Sequence, residues 1–233
     1  MQRTFKIERF SPEKGARAHM QGVTLECEGV RSVLDALERL QAFDPTLAFR
    51  RSTRDGACGA DAMCINGRPA LASRTLLRDL PAVIELRPLP GLPVIRDLVV
   101  DLSAFWQALE SVQPWLEEGD APQPQQGRRQ GQDGRAALDG LLECTLCACC
   151  TAACPGWRPG PDGFAGPAAL LHVARFVADS RDAAQEQRLD DVDDARRLFA
   201  CRSAMSCTAA CPQGLNPAAA ISALRVRLAR RSI

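Results

Sequence analysis

Two short cysteine runs constrain the fold of this chain more than any other feature of its sequence. Eight of the eleven cysteines lie in CTLCACCTAACP (144–155) and CRSAMSCTAACP (201–212). The first run contains the pattern C-x2-C-x2-C-x3-C-P, in which cysteine thiolates bind iron–sulfur clusters in bacterial proteins. The second run keeps three cysteines and the proline, but Ala204 stands where the second cysteine is expected. The spacing therefore predicts a pair of clusters, one of them with an incomplete ligand set.

The two runs are expected to exchange their last cysteines. In two-cluster ferredoxins, the first three cysteines of a run bind one cluster and the fourth binds the other. This rule assigns four thiolates to a 4Fe-4S cluster: Cys144, Cys147, Cys150 and Cys211. The second site then receives three: Cys154, Cys201 and Cys207. Because the methyl group of Ala204 cannot bind iron, the sequence predicts a 3Fe-4S cluster there.

Buried thiols or a structural zinc site are the alternatives to this interpretation. Zinc sites made only of cysteine need four ligands, which usually come from two separated C-x2-C pairs. Zinc binding does not explain the proline after both fourth cysteines or the matching spacing, so the two-cluster interpretation is favoured. Cys149 falls outside the pattern, and we expect it to be a small buried thiol.

Composition and charge narrow the functional classes. The formal net charge of +1 gives no reason to expect a nucleic-acid partner. No apolar stretch approaches the roughly 20 residues that span a bilayer, and the N-terminal sequence lacks a signal peptide. We therefore expect a cytosolic chain with reduced thiols rather than disulfides. No Ser–His–Asp or paired-carboxylate arrangement stands out, so independent catalysis is not expected.

The first half of the chain is predicted to be rich in β-structure and the second half helical. Residues 1–30 alternate as in a hairpin, 32–43 form a helix capped by Ser32, 50–80 are rich in loops, and 82–89 form a strand. Residues 117–137 are polar and rich in Gln, Gly and Pro, which predicts a solvated linker or excursion. Helices are expected over 166–181 and 216–231, the second capped by Asn216.

A 3Fe-4S cluster beside a 4Fe-4S cluster makes a short conducting path. The open corner favours a higher reduction potential than that of its neighbour, within the wide range that protein surroundings impose. The predicted function is therefore electron transfer between two partners.

Several segments together resemble the iron–sulfur subunit of succinate dehydrogenase and fumarate reductase. They are FRRSTRDGACGADAM, INGRPALA, RPLPGLPVIRDLVVD, ECTLCACC, GPAALL, SRD, RLD and CPQGLNP, and the resemblance runs from about residue 3 to the C-terminus. It implies an α+β chain with an N-terminal β-grasp domain like plant-type ferredoxins, over residues 1–105. An all-α domain like bacterial dicluster ferredoxins would follow over 106–233, with the linker 117–137 inside it.

The resemblance also implies a role and partners. Members of this family relay electrons between an FAD-containing flavoprotein subunit, which performs the succinate/fumarate chemistry, and a quinone at hydrophobic membrane-anchor subunits. The chain would then be a peripheral subunit of a respiratory complex II-like assembly, on the cytoplasmic side of the inner membrane. Two alternatives stay open: a redox-silent assembly or regulatory paralogue, and a relay for a different flavin dehydrogenase.

The chain departs from the family at the site of the N-terminal 2Fe-2S cluster. The family's pattern is C-x4-C-x2-(C or D) with a final cysteine further along. Here only Cys58 and Asp61 match it, while Thr53 and Ser73 stand at the first and last ligand positions. Cys64 offers a candidate replacement thiolate. Because hydroxyl groups must ionise from a high pKa to bind iron, we expect this site to be empty or to hold a labile, shifted cluster.

A second departure concerns the pocket where the family binds quinone. The resemblance places a tryptophan pair at Arg158 and Pro159, with Trp157 one step earlier, and a histidine at Arg202. Trp157, Arg158 and Arg202 are therefore the candidates for the quinone pocket. The two arginines would raise the cluster's potential, bind an anionic acceptor or contact lipid phosphate, or they are simply solvated.

Overall fold

The computed structural model describes residues 2–15, 17–119, 129–158 and 164–231. These residues divide into two compact units. The first comprises Met1–Leu102 with the short segments Thr145–Ala153 and Ala210–Pro212, and the second comprises Ser103–Cys144, Cys154–Ala209 and Gln213–Ile233. The domain boundary expected at residue 105 stays a prediction, and the short segments of the first unit come from the cysteine runs.

A five-stranded mixed sheet forms the body of the first unit. Its strands are β1 (Gln2–Arg9), β2 (His19–Glu26), β3 (Ala62–Ile65), β4 (Arg68–Leu71) and β5 (Val83–Arg87), in the order β2-β1-β5-β3-β4. Only β1 and β5 are parallel. A separate two-stranded ribbon pairs β6 (Val94–Arg96) with β7 (Val99–Val100). The predicted hairpin over residues 1–30 and the strand near 82–89 are confirmed as β1–β2 and β5.

One helix packs on this sheet and completes the predicted β-grasp fold. Helix α1 (Val33–Phe43) begins at Ser32, whose side chain accepts a hydrogen bond from the Asp35 backbone while Asp35 bonds back to Ser32. Leu34 and Leu37 lie in one buried core with Phe5 and Ile84 of the sheet. Phe43 stands at helical spacing from Leu37 and Leu40 in the sequence, but its side chain is 80% exposed at the helix end.

A short hairpin lies inside the region 50–80 that was predicted to be rich in loops. Strands β3 and β4 are joined by Asn66 and Gly67, which both have positive φ, 48° and 79°. This conformation suits a two-residue hairpin turn, because its twist matches that of the paired strands. The Asn-Gly pair was the available signal.

The second unit is helical, as predicted. Its helices are α2 (Ser103–Glu110), α3 (Gln132–Ala136), α5 (Gly166–Ala178), α6 (Gln185–Val192), α7 (Ser206–Ala209) and α8 (Pro217–Arg231), whereas α4 (Cys149–Ala152) belongs to the first unit. Helices α5 and α8 pack against each other. The Asn216 side chain accepts from the Ala219 backbone N–H at 2.9 Å, which confirms the predicted cap.

Some of the predicted linker has regular structure. Helix α3 occupies the end of the 117–137 stretch and has no buried residues, so this part of the predicted linker or excursion is helical. Residues 120–128 of the stretch lie outside the described residues. Among the residues that are described, no helix is both long enough and apolar enough to cross a membrane.

A buried ion pair explains the SRD and RLD segments. Arg188 and Asp182 form two hydrogen bonds, of 2.8 and 3.1 Å, with side-chain exposures of 2% and 0%. The same guanidinium donates to the backbone carbonyls of Gln113 and Trp115, both at 2.6 Å. It therefore fastens the segment after α2 to helix α6.

Replacing Arg188 with leucine should lower the free energy of unfolding by about 3–5 kcal/mol, because Asp182 is then buried without its counter-charge. Removing both charges, in Asp182→Leu/Arg188→Leu, should recover part of the loss. Anaerobic urea unfolding followed by circular dichroism measures the change. Arg196→Leu, at an exposed arginine of the same unit, is the control and should stay within about 0.5 kcal/mol of the parent. Equal effects at both positions would contradict the role of Arg188.

His172 gives the helical unit a pH-dependent stability. It is buried in α5, and neither ring nitrogen has a hydrogen-bond partner. Burial, with a smaller contribution from Arg175, lowers its pKa to about 4. An unfolded histidine has a pKa of about 6.5. Between these values the unfolded chain binds a proton that the folded chain does not, so stability is lost as the pH falls below about 6.5.

We expect this histidine alone to remove about 1 kcal/mol of stability between roughly pH 7.5 and pH 5.5. The substitution His172→Leu should abolish that component, measured as the difference between parent and variant unfolding free energies at the two pH values. His19→Gln, at an exposed histidine, should leave the pH dependence unchanged. An identical pH profile for parent and His172→Leu would refute the assignment.

Candidate metal centres

Three predicted ligands meet around one cavity of the helical unit. Cys154, Cys201 and Cys207 line a cavity of about 150 Å³, and Ala204 lines it too. Burial raises the pKa of Cys207, and the neighbouring thiols of Cys154 and Cys201 raise it further. Much of the remaining wall is apolar and includes Phe164, Pro167 and Ile221. The fourth cysteine of the first run thus lies with the cysteines of the second run.

The reciprocal exchange occurs in the first unit. Cys149 lies close enough to Cys147, Cys150 and Cys211 for all three thiols to raise its pKa. Its own thiol forms a hydrogen bond with Cys147, which is the main reason that the pKa of Cys147 falls to about 7. The fourth cysteine of the second run, Cys211, is therefore beside the thiols of the first. The remaining predicted ligand, Cys144, ends a segment of the helical unit and is half-buried.

The two runs repeat one unusual backbone conformation. Leu146 and Ala148, on either side of Cys147, have positive φ of 54° and 62°. Ser203 and Met205, on either side of Ala204, have φ of 55° and 60°. Such angles are uncommon outside glycine, so their recurrence at matching positions shows that Ala204 occupies the slot of Cys147. The sequence pattern alone did not reveal this conformation.

This backbone suits a negatively charged group held by thiolates. Alternation of right- and left-handed residues turns successive N–H groups towards one side, which creates concave sites for anions and iron–sulfur clusters. Each run contains a short helix just after these residues, α4 in the first run and α7 in the second. The donor set, the shared cavity and the repeated loops fit a 4Fe-4S cluster at the first site and a 3Fe-4S cluster at the second.

The geometry of the described cysteines does not indicate a site for a single metal ion. Among the described residues, no group of three or more His, Cys, Asp or Glu side chains is arranged to hold one ion. Thiolates around one zinc ion all lie about 2.3 Å from it. The ligands of a multi-iron cluster bind different irons and so stand further apart.

The N-terminal site brings one cysteine together with oxygen groups. The Thr53 hydroxyl accepts a hydrogen bond from the Cys58 backbone at 3.3 Å. Burial raises the pKa of Cys58, but hydrogen bonds from the Thr53 hydroxyl, the Ala60 backbone and the Ser52 hydroxyl outweigh this effect and lower it. Asp61 is buried and accepts from the Ser73 backbone at 2.5 Å. The site therefore has one thiol, from Cys58, and one carboxylate, from Asp61. It lacks the thiols that the family has at the positions of Thr53 and Ser73.

Cys64 has different surroundings. It lies on β3, paired with Pro69 and Arg87 of the neighbouring strands. Burial raises its pKa, and the other groups that affect it are Gly67, Arg87, Glu85 and Glu8. The main groups that act on Cys58 are instead Thr53, Ala60 and Ser52, so the structure gives no support to Cys64 as a replacement ligand.

The quinone-pocket candidates differ in exposure. Trp157 is buried, at 3% exposure. Arg158 is exposed and donates to the carbonyls of Pro155 and Trp157, at 3.0 and 2.6 Å. Arg202 is exposed and lines the cavity of the three cysteines. Pro159 lies outside the described residues.

Sequence reasoning missed Arg225 of helix α8. Its guanidinium donates to the carbonyl of Cys201 at 2.6 Å and to that of Leu198 at 3.2 Å. The available signal was its position, one residue after the buried Leu224 and four after the buried Ile221. A positive charge is thus fixed at the backbone of a predicted cluster ligand.

Comparisons with known proteins agree with both halves of this description. A family described as a 2Fe-2S iron-sulfur cluster binding domain matches residues 4–107, and one described as a 4Fe-4S dicluster domain matches 140–215. The chain is 46% identical to the succinate dehydrogenase iron-sulfur subunit of Coxiella burnetii, over 97% of this chain and 96% of that protein. It is 41% identical to the Paracoccus denitrificans subunit, over 99% and 90%.

A solved structure has the same fold as this chain. The fold matches a chain of the Mycobacterium smegmatis Sdh1 complex in the apo form with a TM-score of 0.87 and 26% identity. The match covers 99% of this chain and 96% of that one. The similarity therefore extends across the whole chain, including both cysteine runs.

The substitution Ala204→Cys should convert the three-iron cluster into a four-iron cluster, because it places a thiol in the slot that Cys147 occupies in the other run. The iron content should rise by about one per chain, and the paramagnetic signal of the oxidised three-iron cluster should disappear. Ala204→Ser, which adds a poor iron ligand, is the matched control and should keep the signal. Persistence of the signal in the cysteine variant would contradict the assigned slot.

Proposed function

Because the chain belongs to the family of succinate dehydrogenase iron–sulfur subunits, we propose that it carries electrons between a flavoprotein subunit and a membrane quinone site. The proposal rests on the positions of Cys154 and Cys211. Each lies with cysteines of the other run, and the two runs share the same unusual backbone conformation. That arrangement supports two adjacent clusters in one chain. When bound, the clusters supply one-electron transfer at potentials set by their ligands and surroundings.

Seven cysteines would form two separate ligand sets, one for each cluster. Four thiolates would hold the 4Fe-4S cluster: Cys144, Cys147, Cys150 and Cys211. Three would hold the 3Fe-4S cluster: Cys154, Cys201 and Cys207. The thiol of Cys149 donates a hydrogen bond to Cys147, which withdraws negative charge from that sulfur. Such hydrogen bonds are among the influences that set cluster potentials.

Positive charge is concentrated at the three-cysteine cavity. Arg225 is held against the Cys201 carbonyl, and Arg202 lines the cavity at the surface. Cations near a metal centre favour its reduced state, because reduction adds negative charge. These residues support the 3Fe-4S site as the end of the path to which electrons move. Trp157, Arg158 and Arg202 would then border the site of the acceptor.

The partners and the location follow from the same proposal. An FAD-containing flavoprotein would deliver or receive electrons at one end, and hydrophobic anchor subunits would present quinone at the other. The chain would be a peripheral subunit of a membrane-associated complex, on the cytoplasmic side of the inner membrane. The intact cysteine set favours this conducting role over a redox-silent assembly role.

Purification of the intact complex through a tag on this chain tests the proposal. We expect a flavoprotein and hydrophobic anchor subunits to co-purify, with succinate-dependent reduction of a soluble quinone. Cys207→Ala should reduce quinone reduction to background, while reduction of a dye at the flavin persists. Cys27→Ala, at a thiol away from both runs, is the control and should retain full activity.

Two results would contradict this proposal. Full quinone reduction by the Cys207→Ala complex would show that electrons do not use the three-iron site. Co-purification with a flavoprotein that does not oxidise succinate would identify a relay for a different dehydrogenase.

A further inference from the structure

We propose that the N-terminal site holds no 2Fe-2S cluster, so that this member of the family conducts through two clusters instead of three. The absence of the cluster is inferred from the site itself, whereas the shortened path rests on the proposed function. The donor atoms of the site do not suit a 2Fe-2S cluster, although the backbone of the surrounding loop is tightly packed.

The donor set contains a single thiol. Plant-type 2Fe-2S clusters are bound by four cysteine thiolates, and variants with other ligands replace only some of them. Here Cys58 and Asp61 are joined by the hydroxyls of Thr53 and Ser73. A hydroxyl must lose a proton that it holds far more tightly than a thiol does. Half of the ligand positions therefore cannot supply an anionic donor near neutral pH.

The ligand positions are instead connected to each other by hydrogen bonds. Thr53 bonds to both the backbone and the thiol of Cys58. One carboxylate oxygen of Asp61 accepts from the Ser73 backbone. The other carboxylate oxygen and the Ser73 hydroxyl are buried without a partner. Buried water molecules commonly form the missing hydrogen bonds of such oxygens. Neither oxygen replaces a thiolate.

The loop nevertheless keeps close contacts that leave no room for side chains. Gly56 has φ of +78°, and a Cβ there would lie 2.6 Å from Cδ of Arg74, next to Ser73. Gly59 has φ of +65°, and its Cβ would lie 2.7 Å from Cβ of Cys147. The loop is therefore seated against both the Ser73 segment and a predicted 4Fe-4S ligand. These two glycines keep the loop closely packed although two ligand positions carry hydroxyls.

The packing of Gly59 on Cys147 indicates where electrons would pass. With no cluster at Cys58, an electron from the flavoprotein side must reach the cluster at Cys147 in one longer step, through the loop that covers it. A vacant N-terminal site thus places the start of the path at the 4Fe-4S cluster.

Iron counting on the anaerobically purified complex tests the inference. The parent should contain about seven irons per chain. Cys58→Ser should leave that number unchanged, because no cluster depends on the thiol. Thr53→Cys/Ser73→Cys should add about two irons per chain and a new paramagnetic signal after reduction. Thr53→Ala/Ser73→Ala changes the same positions without adding thiols and should stay at the parental count.

The iron counts of the parent and the variants distinguish an empty N-terminal site from an occupied one. About nine irons in the parent, falling to about seven in Cys58→Ser, would overturn the inference. A double-cysteine variant that folds but gains no iron would overturn the assignment of the loss to Thr53 and Ser73. The parental count and Cys58→Ser decide the question even if the double variant fails to fold. Fewer than about seven irons in the parent would instead count against the proposed two-cluster function.

Discussion

The fold of the two cysteine runs is governed by the exchange of their fourth cysteines. Cys211 lies near Cys149 of the first run, while Cys154 lies with Cys201 and Cys207. The segments 145–153 and 210–212 consequently belong to one compact unit and their flanking sequences to the other. Both runs also share one backbone conformation, with positive φ values beside Cys147 in the first run and beside Ala204 in the second.

Features determined by short-range chemistry could be predicted from the sequence. The Ser32 capping box and the Asn216 cap depend on side chains a few residues away, and both occur where expected. The spacing of the cysteines likewise predicts which thiols of each run would share a cluster. The Asn66-Gly67 pair is an equally local signal, because these two residues suit the tight turn between β3 and β4.

Features determined by tertiary surroundings could not be predicted in this way. Helical periodicity places Phe43 and Leu37 on the same predicted face of α1. Packing against the sheet decides that Leu37 is buried and Phe43 exposed. Arg225 belongs to an arginine-rich helix end that is typical of a solvated surface. Its bonds to the carbonyls of Leu198 and Cys201 depend on how the chain returns to α8. Likewise, the sequence near Cys64 could not show that its strand carries that thiol to different neighbours from those of Cys58.

The two halves of the chain depend on metal to different degrees. In the first unit a hydrophobic core joins the sheet to α1, and none of the Thr53, Cys58, Asp61 and Ser73 side chains is part of it. Ligands at that site can therefore change to hydroxyls without loss of the fold. The cysteine loops instead place four non-glycine residues in the left-handed region, at a cost of about 1–3 kcal/mol each. Metal–thiolate bonds are strong enough to offset that cost. This difference explains why all seven predicted cysteine ligands remain in the cysteine runs while the N-terminal site has lost two.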